Sequence, residues 1–416
     1  MNSDSIRGRI RALLRPGDMI VVEQTLGEPT ALLEEVFACV DGIPNLRMFA
    51  GMSLTTAFTR APQGLGLCSF VGMPPHSALI AEGRLQLIPC HMSALPRLFA
   101  SGPLKADVAL VTVSPPDADG FCNLGVVSDY IWHAVQSARV VIAEINDNVP
   151  VVGGDTRLHL DAFAASMRTA RPLPEHRSEA PSDLEREMGR HVAGFVRDRS
   201  CVQVGLGKIS DAVLHAIADR KDLSVHAGVI GDSVLDLMRE GVITNRCKEI
   251  DPDVTVSGSF LGSARGVAML GEQPHVHLRA IEHTHDPAVV GALSNFVCVN
   301  SALEIDLFGQ ANTEIAGGRY VGGVGGSVDY LRASVGAPNG RAIIALPATA
   351  SRGRTRIVPR VAKVSAAAAD VDVVVTEFGV ADLRGVTASE RARRLVAVAA
   401  PEHREDLTKA AAEVGL

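Results

Sequence analysis

A glutamate, Glu23, closes the apolar run MIVVE, and GEP (27–29) and a helix-like stretch, TALLEEVFACV, follow it. The carboxyl end of a strand is where open α/β sheets bind their ligands, so a carboxylate there can act as nucleophile or general base. The plainer role is an acid near a helix start, favoured by the helix dipole. In VGLGKISDAVL, a strand leads through the turn Gly205, Leu206, Gly207 into a helix, a geometry that can hold an anion. It is a weak dinucleotide fingerprint: the third glycine is absent, and Asp211 and Ala212 follow. GGRYVGGVGGSVDYLR places six glycines between residues 317 and 326. Gly322, Gly323, Gly325 and Gly326 let a backbone approach a ligand closely and aim N–H groups at it, although the same composition describes a flexible loop. HVHLRAIEHTHDP carries His275, His277, His283 and His285; a strand HxH could chelate a metal, but nothing sets a third ligand, and no metal is expected. SPPDADGF, with Asp117 and Asp119, reads as a turn rather than a calcium loop.

The elements around these residues alternate. MIVVE, LRMFAG, LCSFVG, LQLIPC, DVALVTV and RVVIAEI are strand-like, with helical stretches such as SDYIWHAVQSA between them. Continuous apolar strands of this kind belong to mostly parallel sheets covered on both faces. TARPLPEHRSEAPSD breaks the rhythm as a linker, and Ser182 with Glu185 forms a capping box for a new helix. The pattern then resumes with CVQVG, SVHAG, FVCVN, RAIIALP and VDVVVTE. The reading is an α/β chain of two similar domains, 1–175 and 186–416, with the ligand between the carboxyl ends of their strands.

The 416 residues leave room for two large cores. A formal charge of -7 argues against nucleic acid as a partner, and no apolar run is long enough for a membrane span. MNSDSIRGRIRALLRPGD reads as an amphipathic helix without a signal peptide's apolar centre, so the cytoplasm is the expected compartment. Seven scattered cysteines without a CxxC fit small apolar residues better than a disulfide framework.

Long ordered strings across almost the whole chain resemble the acetyl-CoA hydrolase/transferase family, which includes 4-hydroxybutyrate and acetate CoA-transferases. They include GEPTAL, EGRLQLIPCHMSALPRLF, DVALVTVSPPDADGFCNLGVVSDY, VQVGLGKISDAVL, VNSALEIDLFGQANTEIAG, VGGVGGSVDYLRAS and VVTEFGVADLRG. The resemblance implies a CoA-transferase-like fold and a ping-pong exchange of CoA between carboxylic acids through a glutamyl-CoA thioester. Coenzyme A is then a substrate, no cofactor is permanently bound, and a homo-oligomer is expected. The oxyanion donors would lie at Leu206 and around Gly323, with Gly205, Gly207, Gly322, Gly325 and Gly326 close to CoA.

One departure stands out. The family's nucleophile lies in a strand-to-helix turn, in a pattern like H-T-E; here the stretch is SVHAGVIGDSVLDLMREG, where His226 and Asp232 match and Gly228 takes the nucleophile's place. Glu23 is therefore the candidate relocated nucleophile, with Gly228 leaving room for it. Two alternatives stay open: hydrolysis of the thioester by water with Glu23 as base, or a catalytically silent CoA-ester binder. Met52, at the end of the second strand, is a candidate wall of the acyl pocket, or else core packing. Ser327, where relatives commonly have Gln, is a candidate substrate contact. Acetate, succinate, 4-hydroxybutyrate and itaconate all remain possible acids.

Overall fold

In a computed structural model, which describes residues 3–416, contacts divide the chain into two compact units. The first is the chain up to Arg177 together with Val256–Thr284, and the second is Ser178–Thr255 with His285–Leu416. The break after Arg177 falls in the Pro-rich stretch read as a linker. The expected boundaries, 1–175 and 186–416, are each continuous, whereas 256–284 packs with the first unit. The bonds responsible are between backbones: Ser128 N–H donates to Gly258 O, Phe260 N–H donates to Val126 O, and Val276–Leu278 pairs with Gly153–Gly154. Periodicity in the sequence carries no trace of such long-range pairing.

The first unit contains β1 (Met19–Val22), β2 (Arg47–Ala50), β3 (Gly66–Ser69), β4 (Leu85–Leu87), β5 (Val108–Val113), β6 (Val140–Asn146) and β7 (Phe163–Thr169). They form one parallel sheet in the order β7-β6-β5-β1-β2-β3-β4. The chain winds outward from β1 to β4, then returns to β5 on the other side of β1. That reversal leaves a crevice at the carboxyl ends of β1 and β5. VALVTV and VVIAEIN are buried at every position, as strands covered on both faces must be. Helix α1 (Ser3–Leu13) buries Ile6 and Ile10 on one face, matching the amphipathic reading. Helices α2 (Thr30–Phe37) and α3 (Asp129–Ser137) follow β1 and precede β6.

The second unit opens with α4 (Asp183–Ala193), whose capping box at Ser182 and Glu185 is formed. It continues through β8 (Cys201–Val204), α5 (Lys208–Ala216), β9 (Ser224–Ile230), α6 (Asp232–Arg239) and β10 (Phe296–Asn300). Then come α7 (Ser327–Gly336), β11 (Arg341–Ala345), β12 (Val373–Thr376) and β13 (Gly379–Asp382). Parallel pairing runs β9-β8-β10-β11-β12, and β13 joins β12 antiparallel. Here the order reverses between β8 and β10. A core of Phe296, Leu331, Ile344, Val374 and Leu395 lies against this sheet. Cys122, Cys201 and Cys298 are buried as small apolar residues, while Cys247 is exposed. No helix among the described residues is long and apolar enough to cross a membrane.

Glu144 ties the first unit together. Its buried carboxylate accepts from the N–H groups of Ala31 and Leu32 at the start of α2 (3.1 and 3.0 Å), from Thr169 Oγ1 and from Arg171 Nε. Arg171 also donates to Glu28 O at 2.7 Å. Removing one member of a buried ion pair strands the other, so Glu144→Ala should lower the unfolding free energy by about 3 kcal/mol. Urea denaturation measures this; a loss of only a few tenths of a kcal/mol would mean the network is not structurally important.

Candidate active site

In the first unit, polar groups gather where the sheet order reverses. Glu23 follows β1 directly, and its N–H donates to Leu110 O of β5. Its Oε2 accepts the N–H of Thr112, also on β5, at 2.6 Å. The side chain is 1% exposed, and Oε1 is buried without a hydrogen-bond partner among the described residues. Burial pushes the Glu23 carboxyl well above the usual range, and the nearby Asp129 and Glu144 add to this against the pull of the Thr112 N–H and Arg171. Gly27, four residues on, makes room for it: a Cβ there would overlap Glu23 Oε1 and the carboxyl carbon. Glu28, the acid of GEP, is instead held by the hydroxyls of Ser53 and Thr55.

Beside Glu23, Gln24 links three elements. Its Nε2 donates to Asp129 Oδ2 at 2.6 Å, and its Oε1 accepts the Met52 N–H at 2.9 Å. Tyr130 donates to Val22 O at 2.7 Å and packs edge-on against Phe49. Met52 is half-buried at the end of β2, with its backbone in this network. Burial pushes Asp129 up to about 6. Asp129 and Tyr130 belong to the SDY string, where they read only as the start of a helix; a buried acid beside Glu23 is a tertiary fact.

In the second unit, Gly205, Leu206 and Gly207 form the turn from β8 to α5, with Gly207 at φ +95° as the residue before the helix. Gly207 has open space around its Cα, and Gly205 nearly so. The glycine-rich segment is not one loop. Ile315–Ala316 and Arg319–Tyr320 pair as a short hairpin, and α7 starts directly at Ser327. Gly322 packs so tightly on Thr313 O that a Cβ would overlap it, and Thr313 Oγ1 donates to Gly323 O at 2.9 Å. Gly325 has open space at φ +57°. Ser327 donates its hydroxyl to Val324 O at 3.1 Å.

The structure changes the reading of Gly228. It lies inside β9, on the same face as the buried His226, not in a strand-to-helix turn. Nor does it leave space. A Cβ on Gly228 would come within 2.8 and 2.9 Å of His285 Cε1 and Nε2, and 3.4 Å of the Tyr330 hydroxyl. A Cβ on Gly326 would overlap the same imidazole from the glycine-rich side. His285 thus fills the place where the resemblance puts a nucleophile, clasped between two glycines and 4.7 Å from the Tyr330 ring. Burial lowers its pKa from 6.5 to about 3, so the ring is neutral. In the sequence, these histidines read as solvent-facing or satisfied rather than as metal ligands; the one signal for this packing was glycine at both 228 and 326.

Asp306 accepts the N–H groups of Phe308 and Gln310, and Glu304 accepts that of Ala362, so both brace loops. Asp117 closes its turn by accepting the N–H groups of Asp119 and Phe121.

Two doubly wound α/β units, each with polar groups or glycine turns at its switch point, define a crevice-binding α/β protein. The chain belongs to the acetyl-CoA hydrolase/transferase family: residues 11–178 match the acetyl-CoA hydrolase/transferase N-terminal domain and 262–411 the C-terminal domain. It is similar to the 4-hydroxybutyrate coenzyme A transferase of Clostridium kluyveri, 37% identical over 342 residues, 81% of this chain and 80% of that protein. The acetyl-CoA hydrolase of Eremothecium gossypii is 26% identical over 446 residues, covering 91% of this chain and 82% of that one. The crystal structure of RipA from Yersinia pestis superimposes with a TM-score of 0.92 at 28% identity, over 100% of this chain and 99% of that chain. Relatives of this chain thus include both CoA-transferases and acetyl-CoA hydrolases.

Proposed function

We propose that this protein transfers CoA between short carboxylic acids and that Glu23 carries the CoA between the two half-reactions. The observation that supports this most is the Glu23 carboxylate. It is buried at the switch point of a parallel sheet, fixed through one oxygen, with the other oxygen unpartnered among the described residues. A desolvated carboxylate is a better nucleophile than a hydrated one, and a buried unpaired oxygen is rare without a use. The imidazole beside Gly228 supports the same reading, since even a Cβ at that position would press against it.

In this reaction one carboxylate oxygen of Glu23 attacks the thioester carbon, and the CoA thiolate leaves an acyl-glutamyl anhydride. The thiolate then attacks the glutamyl carbonyl and expels the acyl carboxylate, leaving glutamyl-CoA. An acceptor carboxylate reverses both steps. Backbone N–H donors to the developing oxyanions contribute on the order of 10²–10³ in rate each.

Hydrolysis is the second reading, and the raised pKa of Glu23 favours it. Burial raises the Glu23 pKa, which shifts the balance toward the protonated carboxyl, the weaker nucleophile, and toward proton exchange with water. Intact-protein mass spectrometry after mixing with acetyl-, butyryl- and succinyl-CoA separates the two. Transfer predicts a CoA adduct mapped to Glu23 and reducible by borohydride. CoA release without an acceptor acid, and with no adduct, would replace transfer by hydrolysis. Neither signal would leave only ester binding.

A further inference from the structure

The Glu23 carboxylate is 1% exposed, so an ester reaches it only if something moves. The cover over its free oxygen is local. A Cβ on Gly27 would overlap Glu23 Oε1, which puts the short turn Thr25–Gly27 directly on that oxygen. The turn is anchored at both ends. Before it, the Gln24 carboxamide is fixed between Asp129 and the Met52 N–H. After it, the Glu28 carboxylate is fixed by the hydroxyls of Ser53 and Thr55. Between these anchors no side chain makes a hydrogen bond among the described residues: Leu26 and Gly27 have none to make, and Thr25 Oγ1 is buried without a partner. Only backbone bonds close the turn: Thr25 N–H donates to Met52 O at 2.8 Å, Gly27 N–H to Gln24 O at 3.1 Å and Glu28 N–H to Thr25 O at 3.3 Å.

Thr25 is strained. Its φ is +56°, in the left-handed region, where a β-branched side chain is a steric outlier. The other non-glycine residues with positive φ, among those described, are Asn, Asp or Arg. Asn and Asp tolerate this conformation because their short polar side chains bond locally. The Thr25 hydroxyl bonds to nothing among the described residues that would offset the cost. Such strain persists only where the surroundings impose it, and it is released when the residue leaves that conformation. Leu26, fully buried, holds the turn down against it.

We propose that residues 25–27 form a gate over Glu23, held closed by the burial of Leu26 and loosened by the strain at Thr25; the inference rests on the reading of Glu23 as the reacting group. Opening takes Thr25 out of the left-handed region and lifts Gly27 from Oε1. The side chains of Gln24 and Glu28 stay anchored and limit the movement to the three residues between them. Closed, the gate keeps the carboxylate dry; open, it exposes the one oxygen that has no hydrogen bond among the described residues.

The test separates strain from the hydroxyl. Thr25→Asn accepts the left-handed conformation, so it should raise the Tm by about 2 °C or more and keep the gate shut. In the free protein, hydrogen exchange of peptides covering residues 24–28, read by mass spectrometry, should slow by about tenfold. The kcat/KM for CoA release from butyryl-CoA, with acetate present, should fall with it. Thr25→Ser keeps the hydroxyl, loses the branch and should move the same way by less. Thr25→Val keeps the branch, loses the hydroxyl and should exchange at least as fast as the wild type. Unchanged exchange in Thr25→Asn, slowed exchange in Thr25→Val, or slowed exchange without loss of rate would each overturn the gate. Loss of activity in Glu23→Gln with unchanged exchange in Thr25→Asn would remove the gate and keep the Glu23 reading. Slowed exchange and rate in Thr25→Asn with full activity in Glu23→Gln would do the reverse.

Discussion

Glu23→Gln should lower CoA transfer by about 10³-fold or more and remove the covalent adduct, because an amide cannot form the anhydride or the thioester. The variant is close to isosteric with protonated Glu23: its carbonyl can accept the Thr112 N–H as Oε2 does now. Its fold should therefore survive, and the activity loss can be read as chemistry. Stability against pH gives an independent check. The folded-state pKa of Glu23 is raised above 4.5, so between these values the folded protein binds more protons than the unfolded one. Wild-type stability from this group then falls as pH rises above about 4.5, by at most about 1.4 kcal/mol per pH unit. Glu23→Gln lacks this loss, so its Tm relative to wild type should rise as pH is raised above about 4.5. Attack by the carboxylate likewise predicts that wild-type kcat/KM rises with pH through the same titration. Full activity in Glu23→Gln would remove Glu23 from the mechanism.

Gly228→Glu, the substitution that restores the family's pattern, should fail on its own. The new Cβ would lie within 2.9 Å of the His285 ring, so the ring or the strand must shift to admit it. Overpacking of this kind should cost about 1–3 kcal/mol, with the Tm falling and no adduct at residue 228. Gly228→Glu with His285→Ala removes the ring and should recover much of that loss. An adduct at residue 228 in the double variant, and not in the single one, would show that His285 is what excludes a nucleophile there. A Gly228→Glu single variant with wild-type Tm would contradict the packing. His285 also predicts acid lability. With a folded-state pKa of about 3 against 6.5, it leaves the folded protein short of a proton that the unfolded chain binds. Stability is full above about pH 6.5 and falls as pH drops toward 3. His76, lowered to about 4, acts in the same direction, so replacing His285 should flatten this slope only in part.

The order of strands and helices was legible in the chain, because it depends on local patterns. MIVVE, DVALVTV and RVVIAEI are continuous apolar runs that only a sheet covered on both faces accommodates, and they form β1, β5 and β6. Ser182 and Glu185 marked the start of α4 three residues apart, within reach of each other in any context. The family strings, the GLG turn and the absence of a carboxylate at position 228 were equally visible, as was Glu23 at the end of its strand. Tertiary structure alone decided what surrounds these residues. Thr112 is 89 residues from Glu23, yet supplies its hydrogen bond, because β5 returns beside β1. His285 reaches Gly228 and Gly326 through packing that no spacing encodes, and it crowds the position that the sequence left without a side chain. Arg356 and the Gly205 turn line one cavity of the second unit although more than 100 residues separate them. Residues 256–284 likewise joined the first unit through backbone bonds to strands and loops more than 100 residues earlier. Local periodicity determines which elements form; chain crossover and close packing determine which side chains meet, and the chemistry depends on those meetings.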